Sequence, residues 1–166
     1  MIEPLLQVID VTTQQIRHFD RQINQLCEQS YPETERLRAI RGIGPITALA
    51  FILTIEDPHR FSDARDVGAY LGLVPKRDQS GKLDKALGIG KSGNAYLRRL
   101  LVGSAQYLLG PFGEPCDLRN SGERLVARGG RGAKKKAAVA TARKLSVVML
   151  TVWKNQSDYH QFRAAA

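Results

Sequence analysis

The feature that most constrains this chain is a seven-residue repeat at its N-terminus. Ile2, Ile9, Ile16 and Ile23 recur at that interval, and Leu5, Thr12, Phe19 and Leu26 follow each of them by three positions. An α-helix returns side chains to one face with this spacing, and a strand does not, so residues 1–31 are predicted as one long helix with an apolar a/d seam. The seam needs a cover. One reading packs it on the chain's own domain; the other makes it a coiled-coil connector that joins two helices or two chains. The strict repeat favours the second, with a homodimer or higher oligomer held through residues 2–29. The flanking positions (Leu6, Thr13, Asp20, Val8, Gln15, Gln22) offer little charge pairing to set a register. Thr12 weakens the seam, and Leu6 and Val8 widen it.

Beyond Pro32 the periodicity stays helical but breaks into shorter pieces. A short helix is predicted from about Glu33 to Ile40. Pro45 then suits the first turn of a third helix carrying Ile46 to Leu53, closed by Asp57-Pro58. Phe61-Ser62-Asp63 reads as the cap of a helix that buries Val67, Tyr70 and Leu71. Leu73 to Ser92 is polar, with many Gly, Lys and Asp, and reads as a long loop or a loop around a small hairpin. From Asn94 a helical face returns with Leu97, Leu100, Leu101, Ala105, Leu108 and Leu109, until Gly110-Pro111 stops it. A short helix near Glu123 to Arg128 and a final one from about Ala133 to Asn155 complete the pattern. Hydrophobic residues make up 43% of the 166, enough for a core built mainly of aliphatic side chains. No stretch reads as a strand long enough to anchor a sheet. The fold class expected is therefore mainly α: a long N-terminal coiled-coil helix (1–31), then a compact helical domain (32–166) with a helix-hairpin-helix element.

Charge narrows the partners. Lys and Arg number 25 against 16 Asp and Glu, a formal net charge of +9, which concentrates anionic partners at the surface, nucleic acid foremost. Cys27 and Cys116 form no C-x-x-C pair, and His18, His59 and His160 are scattered, so neither a disulfide framework nor a zinc site is expected. With no membrane-length apolar run and no signal peptide, the expected location is the cytoplasm, with no membrane partner.

Three segments carry candidate chemistry. Arg41-Gly42-Ile43-Gly44-Pro45 has the form of a helix-hairpin-helix turn, in which glycines clear space and N–H groups at the next helix start meet a phosphate. An ordinary tight turn would use the same glycines. The loop Pro75-Lys76-Arg77-Asp78-Gln79-Ser80-Gly81-Lys82 sets a serine among cations, which suits holding a phosphate or attacking one. On its residues alone, it reads more simply as a solvated polar turn. Lys91-Ser92-Gly93-Asn94 is a second phosphate-friendly cap, with Arg98 and Arg99 on the helix behind it. Ser92 and Ser104 are rival serines with simpler roles in capping and packing. The densest cation cluster is Arg128-Gly129-Gly130-Arg131-Gly132-Ala133-Lys134-Lys135-Lys136, with Arg143 and Lys144 further along the same helix. The pairs Glu56 with Asp57, Asp63 with Asp66, and Asp78 with Asp84 have plain roles as caps, turn formers or surface charge, and no metal site is assigned to this chain.

Taken in order, Leu37 to Pro45, Tyr70 to Pro75, Gln79 to Lys82, Gly88 to Asn94 with Leu97 to Leu101, and the Lys-rich helix ending in Trp153 form a pattern. It resembles the C-terminal transposase domain of the IS-one-ten insertion-sequence family, which includes Piv-type DNA invertases and bridge-RNA-guided recombinases. The resemblance runs from about Leu37, and the heptads before it are similar to the family's coiled-coil connector. It implies DNA transposition or site-specific recombination at a composite site. A RuvC-like N-terminal domain would hold Mg²⁺ with carboxylates, and this domain would supply the serine nucleophile, here Ser80. It also implies DNA and a structured guide RNA as partners. The nucleic-acid contacts expected are Arg41, Gly42, Gly44, Lys76, Arg77, Lys82, Lys91, Asn94, Arg98, Arg131, Lys134, Lys135 and Lys136. Two departures stand out. Gly90 replaces the serine of the family's Ile-Ser-Lys segment, and no RuvC-like region precedes the heptads, so a fragment or decayed element without autonomous recombination is expected. The alternative is a non-catalytic helix-hairpin-helix or dimerisation module.

Overall fold

The structure, a computed structural model, describes residues 2–80, 83–90 and 92–162, with 77–80 and 83–87 described through their backbone. Among these residues there are seven α-helices and one two-stranded antiparallel sheet, so the mainly helical class holds.

The heptad segment forms α1, Glu3–Gln29, started by Pro4 at a position where the missing N–H costs nothing. It packs on the rest of the molecule only near its C-terminal end. Cys27 is buried against the start of the third helix, while Leu5, Ile9, Ile16, Phe19 and Leu26 remain exposed. Thr12 and Thr13 turn their hydroxyls back to the carbonyls of Val8 and Ile9, both at 2.7 Å. The polar atom that weakens the seam is thereby satisfied within the helix. At the junction, Thr34 donates to the Tyr31 carbonyl at 2.7 Å and opens α2, Thr34–Arg38.

The core is built around α3 (Pro45–Ile55), α5 (Ala95–Leu109) and α7 (Ala133–Asn155). Helix α3 is apolar on nearly every side and buries Ala48, Leu49, Phe51, Ile52 and Ile55, while Ile46 and Leu53 stay exposed. Phe51, Ile55, Leu97, Leu101, Leu108, Leu145, Met149 and Leu150 are all fully buried, and Trp153 meets Phe51 edge-on at 6.4 Å between ring centres. A 3₁₀ turn at Pro58–Arg60 and the short α4 (Asp66–Tyr70) cover one side. The expected cap at Asp63 is displaced. Its carboxylate accepts the Arg65 N–H at 2.8 Å, forming a turn just ahead of α4 rather than the helix cap itself.

One segment takes one of the two forms read for it, and one differs from its reading. The stretch read as a loop, or as a loop around a small hairpin, takes the second form. Here β1 (Pro75–Ser80) pairs with β2 (Leu83–Ile89), with one register irregularity between Pro75 and Arg77. Helix α6 runs Asp117–Ala127, six residues earlier at its start than the short helix expected from Glu123. Two atypical choices explain the miss. The N-cap is Cys116, whose sulfur accepts the Arg119 N–H at 3.4 Å, and Gly122 sits mid-helix where it reads as a breaker. A Cβ on Gly122 would stand 2.5 Å from Leu109 Cδ2 and 2.7 Å from Thr141 Oγ1, so the glycine lets α6 lie close on α5 and α7.

Candidate nucleic-acid interface

The Arg41–Pro45 turn is bounded by α2 and α3, and its two glycines play different parts. Gly42 has φ +82°, and a Cβ there would stand 2.9 Å from Leu108 Cγ, so it serves both backbone and packing against α5. Gly44 is the N-cap of α3, has an extended backbone, and would meet nothing within 4 Å. No side chain caps α3, so the first-turn N–H groups at Ile46 and Thr47 have no acceptor within the helix. Arg41 is committed elsewhere. It pairs with Glu114 at 2.9 Å and donates to the Pro115 carbonyl, fastening the turn to the segment after α5.

The hairpin carries Ser80 as the last residue of β1, opposite Leu83 and at the far end from the Pro75–Ile89 base. Lys76 is exposed on β1, and Arg77 pairs in register with Ala86. Lys82 and Lys91 lie outside the described residues. The base of the hairpin is anchored by Arg98, which donates to the carbonyls of Leu71 at 3.0 Å and Ser92 at 2.7 Å. Asn94 caps α5, accepting the N–H groups of Tyr96 at 2.9 Å and Leu97 at 3.0 Å, and its amide donates to Thr54 at 3.2 Å. Both side chains hold the frame that presents the hairpin, so any nucleic-acid contact there would compete with those bonds.

At the start of α7, Arg131, Lys134, Lys135 and Lys136 are all exposed. The helix begins from Gly132 at φ +75° with no side-chain cap and no acidic residue in its first turn. Lysines at a helix N-terminus add to the positive end of the helix dipole, so the first turn of α7 carries a positive potential that no acidic residue of that turn offsets. Lys134 and Lys135 share a hollow with Leu109, Gly110 and Pro111, and Gly42 touches neighbouring Leu108. The glycine turn and the lysine run thus border the same end of α5.

A second cationic surface was only partly visible in the sequence. Along the seam between α6 and α7 runs a groove of about 810 Å³ lined by Arg65, Arg124, Arg128, Arg143 and Lys144, over Leu125, Val147 and Val148. Lys144 and Ser121 bridge the helices at 2.6 Å. Arg143 lies across α4, where a Cβ on Gly68 would come within 2.9 Å of its Cγ. Arg65 and Arg124 drew no attention in the sequence because no run contains them. The signal for Arg124 is spacing: 121, 124 and 128 share one face of α6, as 140, 143, 144 and 147 do on α7, whereas nothing along the chain relates Arg65 to either helix.

Among the described residues no three His, Cys, Asp or Glu side chains cluster as metal ligands, and no helix is long and apolar enough to cross a membrane.

Residues 34–113, from α2 through the hairpin to just past α5, match the model of the transposase family IS116/IS110/IS902. The chain is 33% identical over 128 residues to the transposase for insertion sequence element IS1111A of Coxiella burnetii, covering 76% of this chain and 34% of that protein. It is 37% identical over 94 residues to the transposase for insertion sequence element IS1328 of Yersinia enterocolitica, covering 56% and 28%. To the pilin gene-inverting protein of Moraxella bovis it is 30% identical over 158 residues, covering 89% and 48%. The chain thus spans between about a quarter and a half of the length of these relatives.

Proposed function

Because the chain belongs, through residues 34–113, to the IS116/IS110/IS902 transposase family, we propose that it is the nucleic-acid-binding, serine-bearing module of a DNA transposase or site-specific recombinase. The observation that carries this reading is the extent of the family match, which runs unbroken through the glycine turn, the hairpin with Ser80 and the helix that anchors it.

In this reading Ser80 is the nucleophile. Its hydroxyl loses a proton as an Oγ–P bond forms to the DNA phosphate, the bond from phosphorus to the departing deoxyribose oxygen breaks, and that oxygen is protonated. Of the cations in and around this segment, Arg77 and Lys82 are the closest to Ser80 in sequence and offset the charge that builds on the phosphoryl oxygens, while Lys76, beside the hairpin base, and Lys91 hold flanking phosphates. Arg98 acts by position, tying the segments on either side of the hairpin to α5, and Asn94 caps α5 and joins it to Thr54 of α3. Arg131 and Lys134 to Lys136 hold backbone phosphates, together with the N–H groups at Gly44–Thr47 in a helix-hairpin-helix mode. A RuvC-like domain completes the site with carboxylates, and the Mg²⁺ they bind would polarise the reacting phosphate. Guide RNA is a second partner. The exposed seam of α1 suits pairing with a second copy, giving a dimer that brings two hairpins to paired DNA ends.

The test is binding of the chain to linear duplex, branched DNA and structured RNA across a salt series, followed by Ser80→Ala. Affinity should fall steeply with salt and change little in the variant. A covalent protein–DNA product, formed with Mg²⁺ and a RuvC-like domain supplied in trans, should vanish in it. Absence of binding to all three nucleic acids at low salt, or a covalent product that survives Ser80→Ala, overturns the reading. A strongly assembled chain that binds no nucleic acid would leave a dimerisation module instead.

A further inference from the structure

We propose that the groove between α6 and α7 is a separate binding site for the phosphodiester backbone of one nucleic-acid strand, read without regard to sequence. The inference rests on the nucleic-acid function proposed above and assigns it a second contact surface, distinct from the hairpin and from the lysine run.

Charge comes first. Arg65, Arg124, Arg128, Arg143 and Lys144 converge on one hollow from three elements, and no carboxylate lines it. Among the described residues none of the five makes an ion pair. Of the two acidic residues of α6, Glu123 pairs with Arg119 at 2.7 Å and lines the hollow at the opposite side of the helix, and Asp117 lies in an adjoining hollow that Arg124 and Lys144 also border. A solvated helix face ordinarily interleaves signs at i,i+4 spacing, which stabilises it. Five like charges around a concavity forgo that gain and repel one another, an arrangement that an anion relieves.

Shape and chemistry then select the anion. Ser121 to Arg128 spans seven residues, a cationic edge about 10 Å long at 1.5 Å per residue. The contour of one strand per phosphate is roughly twice its axial rise of about 3.4 Å, so that length suits about two successive phosphates, and the reach of the side chains brings a third within range. Four of the five cations are arginines, whose planar forks match phosphate oxygens two at a time. The floor is aliphatic, formed by Leu125, Val147 and Val148, with no aromatic ring on which a base could stack. The groove therefore holds backbone and leaves sequence reading to other parts. Two contacts pre-form it: the Lys144–Ser121 bridge and the seating of the Arg143 stem across Gly68.

The test compares the whole chain with Arg124→Gln/Arg143→Gln/Lys144→Gln and with Arg17→Gln/Arg21→Gln/Arg36→Gln, which removes the same charge from positions outside the groove. Binding of labelled duplex DNA, single-stranded DNA and an RNA hairpin is followed by anisotropy across a salt series. The groove variant should flatten the plot of log K against log salt by about 2 to 3, with affinity at least tenfold lower at low salt. The control should shift it by much less, and Arg124→Lys/Arg143→Lys should keep most of the slope. Whichever nucleic acid shows the change is the strand source. A second readout does not depend on variants: an amine-reactive probe should modify Lys144 more slowly once the strand is bound. Equal slopes in groove and control variants, with Lys144 unprotected, overturn the proposal while leaving the nucleic-acid function standing. Failure of the unaltered chain to bind any of the three overturns both.

Discussion

Arg119 offers the clearest measure of how this fold holds its parts in place. Helix α5 ends at Leu109, and the carbonyls of its last turn have no partner within the helix. One guanidinium nitrogen of Arg119 donates to the carbonyls of Leu108 at 2.9 Å, Gly110 at 2.9 Å and Gly113 at 2.5 Å, and Nε binds Glu123 at 2.7 Å. With its side chain only 21% exposed, this arginine neutralises the negative end of α5 and stitches the start of α6 to it. A hydrogen bond to a charged group is worth about 1.5–3 kcal/mol. Two protons shared among three acceptors do not give three full bonds, and truncation lets water reach some of the carbonyls. The half-exposed Glu123 pair adds no more than about 0.5 kcal/mol. Arg119→Met, which keeps most of the apolar stem, should therefore destabilise the chain by about 3 kcal/mol. At about 2–4 °C per kcal/mol for a chain of this size, the melting temperature should fall by roughly 6–12 °C. Arg119→Lys should recover less than half, because its ammonium ends one atom short of the guanidinium nitrogen and cannot hold the carbonyls and Glu123 at once. Urea denaturation followed by circular dichroism measures both. A Cβ on Gly113 would press on the Leu108 carbonyl and come within 2.6 Å of the same nitrogen, so Gly113→Ala displaces the acceptor and the donor of one clamp, and with Arg119→Met it should cost less than the sum of the two. A loss under about 1 kcal/mol in Arg119→Met, or strict additivity of the pair, would refute the shared clamp.

Three further outcomes are expected. Asn94→Ala removes the acceptor for two N–H groups at the start of α5 and should cost about 1 kcal/mol in the same denaturation assay. Gly122→Ala drives a methyl into Leu109 and Thr141 and should cost about 1–3 kcal/mol; a neutral result would mean that α6 slides away freely. Ile9→Glu/Ile16→Glu charges the exposed seam of α1, so the pairing proposed above predicts that light scattering shows a dimer for the unaltered chain and a monomer for the variant, with the domain's melting temperature nearly constant. A monomeric unaltered chain, or an assembly that the variant keeps, would refute pairing through α1.

Much of this architecture was legible along the chain because helix periodicity is a local signal. The heptads of α1, the Pro45 start of α3, the Asn94 start of α5 and the stripe of α7 each lie within a few turns of sequence. The same holds for the glycine turn and the lysine run, which are contiguous. Where local chemistry misled, the deciding partner was distant. Gly122 reads as a breaker until Leu109 and Thr141 press on it, and Cys116 is a weak cap that serves because its surroundings bury it. Arg41 and Arg98 read as free cations, yet one binds Glu114 and the Pro115 carbonyl, and the other the carbonyls of Leu71 and Ser92. By itself the sequence determined a helical, strongly cationic chain, its family pattern and the serine-bearing segment, since each is written in neighbouring residues. Only the tertiary structure decided which cations stay available and which are spent on carbonyls. It also decided that Arg65, Arg124, Arg128, Arg143 and Lys144 face one groove. The reason is that such convergence depends on how α4, α6 and α7 pack, and residues up to 79 positions apart acquire a common surface only when the chain folds back on itself.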